Sequence, residues 1–162
     1  MERCAVITVS DRSAAGRRPD TSGPALAAVL ETAGYTVQLA VVPDGQSSVR
    51  EALLAALATG ARLILTTGGT GVGPRDRTPE ATASVIDRAL PGVADLLRSR
   101  GAAHSVHAAL SRGVVGVVDA SSAGAGALIV NLPGSPNAAV EGADVVLPLV
   151  AHVLDQLAGG DH

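Results

Sequence analysis

The stretch Arg62-Leu63-Ile64-Leu65-Thr66-Thr67-Gly68-Gly69-Thr70-Gly71-Val72-Gly73 decides the fold. Its first half is an apolar, β-branched run, the pattern of a strand buried on both faces, and it passes directly into a glycine-rich segment. Upstream, Val49, Leu53, Leu54 and Leu57 recur at helical spacing and Gly60 stops them. Before that helix, Tyr35 to Val42 reads as a second strand closed by the turn Pro43-Asp44-Gly45. Earlier still, a helix opens at Thr21 or Ser22 with Pro24 in its first turn, carries Leu26, Val29, Leu30 and Ala33, and ends at Gly34. Residues 4–9 form the first strand, which stops at Ser10-Asp11 before the polar loop SAAGRRPDTSG. Strand, helix, strand, helix, strand with near-continuous apolar strands implies a three-layer, doubly wound α/β fold. Its sheet is expected to be mostly parallel, with helices on both faces.

Downstream, Thr78-Pro79-Glu80 announces a helix running through Ile86 and Leu90, and another starts near Pro91 with Val93, Leu96 and Leu97. Two late strands, 114–118 and 127–132, are joined by the loose DASSAGAG. Ser135-Pro136 caps a closing helical region, which Pro148 is expected to kink or divide. No internal repeat is visible, and 162 residues suit a single domain spanning 1–162, since one core commonly takes roughly 100–200 residues.

The composition narrows the chemistry. With no Phe, no Trp and one Tyr, the core must be built from Ala, Val, Leu and Ile. A flat ligand ring would meet aliphatic side chains and backbone, and base-stacking platforms for single-stranded nucleic acid are absent. Lys is missing altogether and the net charge is -3, which disfavours counterion-release binding to a nucleic-acid backbone. Cys4 stands alone, so no intrachain disulfide or cysteine zinc cluster forms, and its apolar surroundings imply a buried thiol. Neither a signal-peptide core nor an unbroken apolar stretch of roughly 18–20 residues appears. A cytoplasmic protein without membrane contact is expected.

In an open α/β sheet, ligands bind outside the C-terminal ends of the strands, so chemistry is sought in loops 68–77 and 133–136. Glycines let a backbone approach phosphate and let successive N–H groups converge on an anion, although a strand-leaving turn needs no ligand to explain it. Neither standard phosphate loop fits. Gly73 is followed by Pro-Arg rather than Lys-Ser/Thr, and Gly69, Gly71 and Gly73 are spaced Gly-x-Gly-x-Gly. In Asn131-Leu132-Pro133-Gly134-Ser135-Pro136-Asn137 a strand ends in a Pro-Gly turn and a helix N-terminus begins, an anion site by its exposed N–H groups. Ser135 is expected to cap that helix. Taken alone, Asp44 is turn chemistry and Asp76 a solvated loop charge.

The run TTGGTGVGPRDRTPEAT resembles the signature of the MogA/MoaB-type molybdenum-cofactor biosynthesis proteins. The likeness extends through SDRSAAG, DTSGPAL, VPD, ALSRG, NLPGSP and the final AGGDH, nearly the whole chain. The resemblance implies a doubly wound α/β fold, usually trimeric, that binds molybdopterin and ATP. The implied reaction is transfer of AMP to the molybdopterin phosphate with release of pyrophosphate. It also implies hand-over of the product to a molybdenum-inserting protein.

Carried onto this sequence, the resemblance makes Asp44 and Asp76 the catalytic and metal-nucleotide carboxylates. The nucleophile is a phosphate oxygen already anionic at neutral pH, so both are better cast as Mg²⁺ carboxylates than as bases. Gly68, Gly69, Thr70 and Gly71 form the anion loop, and Arg75 is chosen over Arg77 to neutralise phosphate charge. Ser10 and Ser22 are expected to hydrogen-bond pterin or phosphate, while Pro133, Gly134 and Ser135 help bind the pterin. Many members carry a basic residue where Asn137 stands. Asp11 is expected to fix its loop by accepting N–H bonds or pairing with Arg12, the segment Leu110-Ser111-Arg112-Gly113 to supply an anion contact or form a turn ending in Gly, and Thr78 to start a helix. His104, His107, His152 and His162 read as surface histidines. The alternatives are a non-catalytic molybdopterin-binding or scaffold member of the same pathway, and a damage-inducible competence type of domain sharing the fold, which the GTGVGPRDRTPE and NLPGSP forms fit less well.

Overall fold

Apolar residues at every position of a strand leave no face for water, so such strands collect at the centre of a sheet with helices on either side. The computed structural model, which describes residues 2–121 and 124–160, has this arrangement. His162, the end of the AGGDH match and the middle of DASSAGAG lie outside the described residues. Six strands order as β2-β1-β3-β6-β5-β4, with β1 at Arg3–Val9, β2 at Thr36–Val42, β3 at Leu63–Thr67, β4 at Arg88–Ala89, β5 at Val115–Val118 and β6 at Ala127–Leu132. The pairs β1–β2, β1–β3 and β3–β6 are parallel, and β5 runs antiparallel to both β6 and β4.

The pleat sorts the core into two layers. Cys4, Val6, Leu63, Leu65, Leu128 and Val130 face the helices α2 (Ser22–Thr32), α5 (Pro91–Ala102) and α6 (Pro136–Leu157). Ala5, Ile7, Val9, Ile64 and Ile129 face α3 (Gln46–Ala58) and α4 (Thr78–Ala83). Chain order moves outward from β1 to β2 and then crosses back to β3, so the switch point of the sheet lies between the C-terminal ends of β1 and β3.

Several local expectations change. The polar loop after β1 contains a short helix, α1 (Asp11–Ala14), whose N-cap Ser10 accepts the Ser13 N–H. At α2 the capping side chain is neither Thr21 nor Ser22; Asp20 Oδ1 accepts the Gly23 N–H at 3.0 Å. The helix opening at Thr78 stops at Ala83 instead of reaching Leu90, because Ile86 packs over Gly116 of β5 and Arg88–Ala89 pairs with β5. Pro148 does not divide α6, which runs continuously over 22 residues. Val146 and Val150, on either side of it, are both buried against the sheet, and that burial offsets the one hydrogen bond the proline cannot make. By length and composition α6 is apolar enough to cross a membrane; here its apolar stripe packs on β6, α2 and α5.

Candidate functional site

Loops at the C-terminal ends of β1, β2, β3 and β6 enclose a cleft of about 510 Å³, lined by Thr8 and Val9 from β1, Thr67 from β3, and the segments that follow them. Its position at the switch point is where such folds take ligands. No aromatic residue lines it. The expected site residues Ser10, Ser22, Asp44, Gly68, Gly69, Gly134 and Ser135 all line this cleft.

The glycines are fixed by close packing. Gly68 has φ +101°, and a Cβ there would lie 2.4 Å from the Val9 carbonyl oxygen. Gly69 has φ +67°, with the Thr78 hydroxyl occupying the space a Cβ would need. The buried Thr78 does not cap α4, whose N-cap is Arg77; its Oγ1 donates to the Gly68 carbonyl at 3.0 Å and its N–H to the Gly69 carbonyl at 3.1 Å. Thr67 Oγ1 donates to the Pro133 carbonyl at 2.6 Å, so the two Gly-bearing loops are tied together.

Other hydroxyls are already in use. Ser22 Oγ donates to the Gly134 carbonyl at 2.7 Å, and Ser10 Oγ accepts from Ser13. Each can still offer the cleft its remaining hydrogen-bonding capacity. Ser135 departs from expectation in the other direction, since its side chain makes no capping bond to α6 and is exposed. Pro136 has no N–H, and the first intrahelical bond runs from the Ala139 N–H to the Ser135 carbonyl at 2.9 Å. The amides of Asn137 and Ala138 precede that bond at the N-terminus of a long helix, which suits an anion.

Arg75 is committed to a latch. Its Nε and Nη2 donate to both carboxylate oxygens of Asp11 at 2.6 and 2.9 Å, and Nη2 also donates to the Asp44 carbonyl at 2.7 Å. Asp11 and Asp44 exchange bonds, the Asp11 N–H donating to Asp44 Oδ2 at 2.9 Å and the Asp44 N–H to Asp11 Oδ1 at 3.1 Å. Asp11 thus pairs with Arg75, not with Arg12, and the Arg75 guanidinium holds its carboxyl below the usual range. Asp44 keeps Oδ1 without a hydrogen bond among the described residues, at the cleft wall.

Thr70, Gly71, Arg75, Asp76 and Pro133 do not line the cleft. Asp76 turns its Oδ2 onto the Gly73 N–H at 2.8 Å, closing the glycine loop on itself. Arg112 is a structural contact to this loop. It meets the carbonyls of Gly71 and Asp76 at 2.8 Å each and forms an ion pair with Glu80.

Sequence reasoning missed two cleft residues. Arg12 and Arg18 line it, and neither has an ion pair among the described residues. With Arg75 latched, these are the arginines placed to meet an anion, and the signal was their place in the polar segment that follows the first strand.

The fold is a doubly wound α/β sheet with one cleft at its switch point, bordered by a glycine loop, the N-terminus of a long helix, two arginines and an uncommitted carboxylate oxygen. The chain belongs to the family described as a probable molybdopterin binding domain, whose model matches residues 5–152. It is 41% identical over 158 residues to the molybdenum cofactor biosynthesis bifunctional protein of Synechococcus elongatus, covering 97% of this chain and 48% of that protein. It therefore spans about half the length of that relative. It is 35% identical over 150 residues to the molybdopterin adenylyltransferase of Pyrococcus furiosus, covering 92% of this chain and 87% of that protein. The structure of the molybdopterin biosynthesis Mog protein from Mycobacterium ulcerans superposes with TM-score 0.88 at 43% identity, covering 98% of this chain and all of that one.

Proposed function

We propose that this protein is a molybdopterin adenylyltransferase acting in molybdenum-cofactor biosynthesis. The observation that carries the reading is one cleft bordered by both the glycine loop and the N-terminus of α6, with Asp44 Oδ1 uncommitted at its wall. Two phosphate-bearing substrates need two anion-adapted edges. A molybdopterin phosphate oxygen forms a bond to the α-phosphorus of ATP, the bond from that phosphorus to the bridging oxygen breaks, and pyrophosphate departs. The nucleophile carries its negative charge at neutral pH, so no side chain has to take a proton. What the protein supplies is orientation and charge.

Among the described residues no cluster of three or more His, Cys, Asp or Glu is close enough to hold a metal. Asp44, with Oδ1 uncommitted at the cleft wall, would be a protein carboxylate for Mg²⁺ arriving with ATP and keeping phosphate and water ligands; Asp76, expected as the second, faces its own loop and would have to turn toward the cleft to join it. When bound, Mg²⁺ would lower the repulsion between the two anions. Arg12 and Arg18 supply the positive wall, and Ser10, Ser22 and Ser135 orient the substrates. The relatives' name and the uncommitted Asp44 oxygen at the cleft support the enzyme; Asp76 facing its own loop favours the alternative, a non-catalytic molybdopterin-binding member.

The test is anaerobic incubation of micromolar protein with molybdopterin, Mg²⁺ and ATP. Pyrophosphate and adenylylated pterin are the expected products, falling on the order of 10²-fold in Asp76→Asn with molybdopterin binding retained. No product from the wild type, with molybdopterin still bound, establishes the binding-only reading. The proposal extends to a homotrimer, supported by exposed apolar residues such as Leu39, Val106 and Leu110. Light scattering should then give about three times the 16.0 kDa chain mass. It extends also to hand-over of the product to a molybdenum-inserting protein.

A further inference from the structure

We infer that Arg112 is the positioning residue for Asp76, a role that rests on the adenylyltransfer reading above. Its connections converge on a single segment. The Arg112 N–H donates to the Thr70 carbonyl at 2.9 Å, Nε to the Gly71 carbonyl at 2.8 Å and Nη2 to the Asp76 carbonyl at 2.8 Å, while Nη1 pairs with Glu80 Oε1. Thus one guanidinium joins Gly71 within the glycine loop, Asp76 near its end and Glu80 in the first turn of α4, while the Arg112 backbone N–H holds Thr70.

The rest of the loop is closed around this fork. Asp76 Oδ2 accepts the Gly73 N–H, and the Asp76 N–H donates to the Gly73 carbonyl at 3.1 Å. A Cβ at Gly71 or Gly73 would lie 2.9 or 2.8 Å from Asp76 Oδ2, so a side chain at either position would push the carboxylate from its place. The Asp76 carboxylate is therefore set by the loop backbone, and that backbone is set by Arg112. The segment carrying Arg112 is itself braced: Arg98 of α5 donates to the carbonyls of Ser111 and Gly113 at 3.4 and 3.1 Å and pairs with Asp95.

Arg112 is only partly exposed, and its charge is matched by Glu80, so it orders carbonyls and does not serve as a phosphate contact. Three acceptors, the carbonyls of Gly71 and Asp76 and the Glu80 carboxylate, are met by three different nitrogens of one guanidinium. A lysine ammonium keeps the charge but cannot span Gly71, Asp76 and Glu80 together. Losses from removing partners that orient a ligating group run about 10–100-fold in activity.

The experiment compares Arg112→Ala, Arg112→Lys and wild type in steady-state adenylyl transfer and in hydrogen exchange of amides 70–76. We expect kcat to drop about 10–100-fold in both variants, with the KM for molybdopterin nearly unchanged. Guanidinium ion at low millimolar concentration should restore part of the Arg112→Ala rate. Loop amides should exchange at least about tenfold faster, with the β6 amides unaffected. Arg112→Lys turning over within about twofold of wild type would overturn the role, as would an Arg112→Ala loss that guanidinium cannot recover. If wild type makes no product, the catalytic reading fails by itself and hydrogen exchange decides this one: unaltered exchange in the loop shows that Arg112 does not position it.

Discussion

Truncating Asn131 to alanine should cost this protein a large part of its stability without touching the cleft. Asn131 is 4% exposed, at the penultimate position of β6. Its Nδ2 donates to Thr66 Oγ1 of β3 at 3.0 Å and to Thr82 Oγ1 of α4 at 2.8 Å, and its Oδ1 accepts the Val114 N–H at 3.0 Å. Each lost bond is worth about 1 kcal/mol net, and stranding the Val114 N–H adds about 1–2 kcal/mol, for a total of roughly 4–5 kcal/mol. In a domain of this size that corresponds to a fall in Tm of roughly 8–20 °C. Urea denaturation and calorimetry measure it directly. Thr82→Val alone removes one of the same bonds and should cost about 1 kcal/mol. Because the bond is shared, the double variant should lose about 1 kcal/mol less than the two single losses added. A loss under about 1 kcal/mol for Asn131→Ala, or strict additivity, would refute the claim that this side chain ties β3, α4 and β5 together.

Gly68→Ala meets both a positive φ of +101° and the Val9 carbonyl oxygen 2.4 Å from the new Cβ, so it should destabilise by roughly 2–5 kcal/mol and distort the cleft; denaturation and ATP titration check both. Cys4 is fully buried, and burial pushes its thiol from 9.0 up to about 12. The folded state then keeps a proton that the unfolded state releases, so stability is intact below pH 9 and falls by at most about 1.4 kcal/mol per unit as pH rises toward 12. Cys4→Ala should flatten that alkaline limb, and native Cys4 should react with thiol reagents only as fast as the protein unfolds. Asp11 lies below its ordinary 3.8 because Arg75 bonds it. A lowered carboxylate contributes above its unfolded value and is lost as pH falls through the folded one, so the latch should open only below about pH 3.8. Amide exchange at Asp44, measured against pH in wild type and Asp11→Asn, tests it; identical acid profiles would remove the latch.

Much of the fold could be read from local pattern because the central strands are apolar throughout. The strand read at 127–132 and the α5 start at Pro91 coincide with the structure, and β1, β2, β3 and β5 shift by one residue at an end. β4 could not be read, since Arg88 and Ala89 are exposed and become a strand only through pairing with β5. The length of α4 was also hidden, because Ile86 has a helix-compatible spacing but is needed over Gly116. The site divides the same way. The loops and Asp44 were visible as turn chemistry at strand ends. The commitments of Ser22, Arg75 and Arg112 were not, because their acceptors lie 112, 64 and 41 residues away for Gly134, Asp11 and Gly71. A sequence shows that an arginine is present, and only the tertiary contacts show whether its charge is already spent.

With a single tyrosine and neither tryptophan nor phenylalanine in the chain, the molecule is nearly silent in the near ultraviolet. Tyr35 lines a separate crevice beside Glu2, Arg62 and Asp155, so no indole or phenol borders the cleft. The absorption of a pterin seated between the glycine loop and α6 would stand almost alone above the protein background. Its circular dichroism would arise from the asymmetry of the surrounding backbone and hydroxyls, free of ring-to-ring exciton coupling. Tyr35 emission, at the other end of the sheet, would report on that end alone.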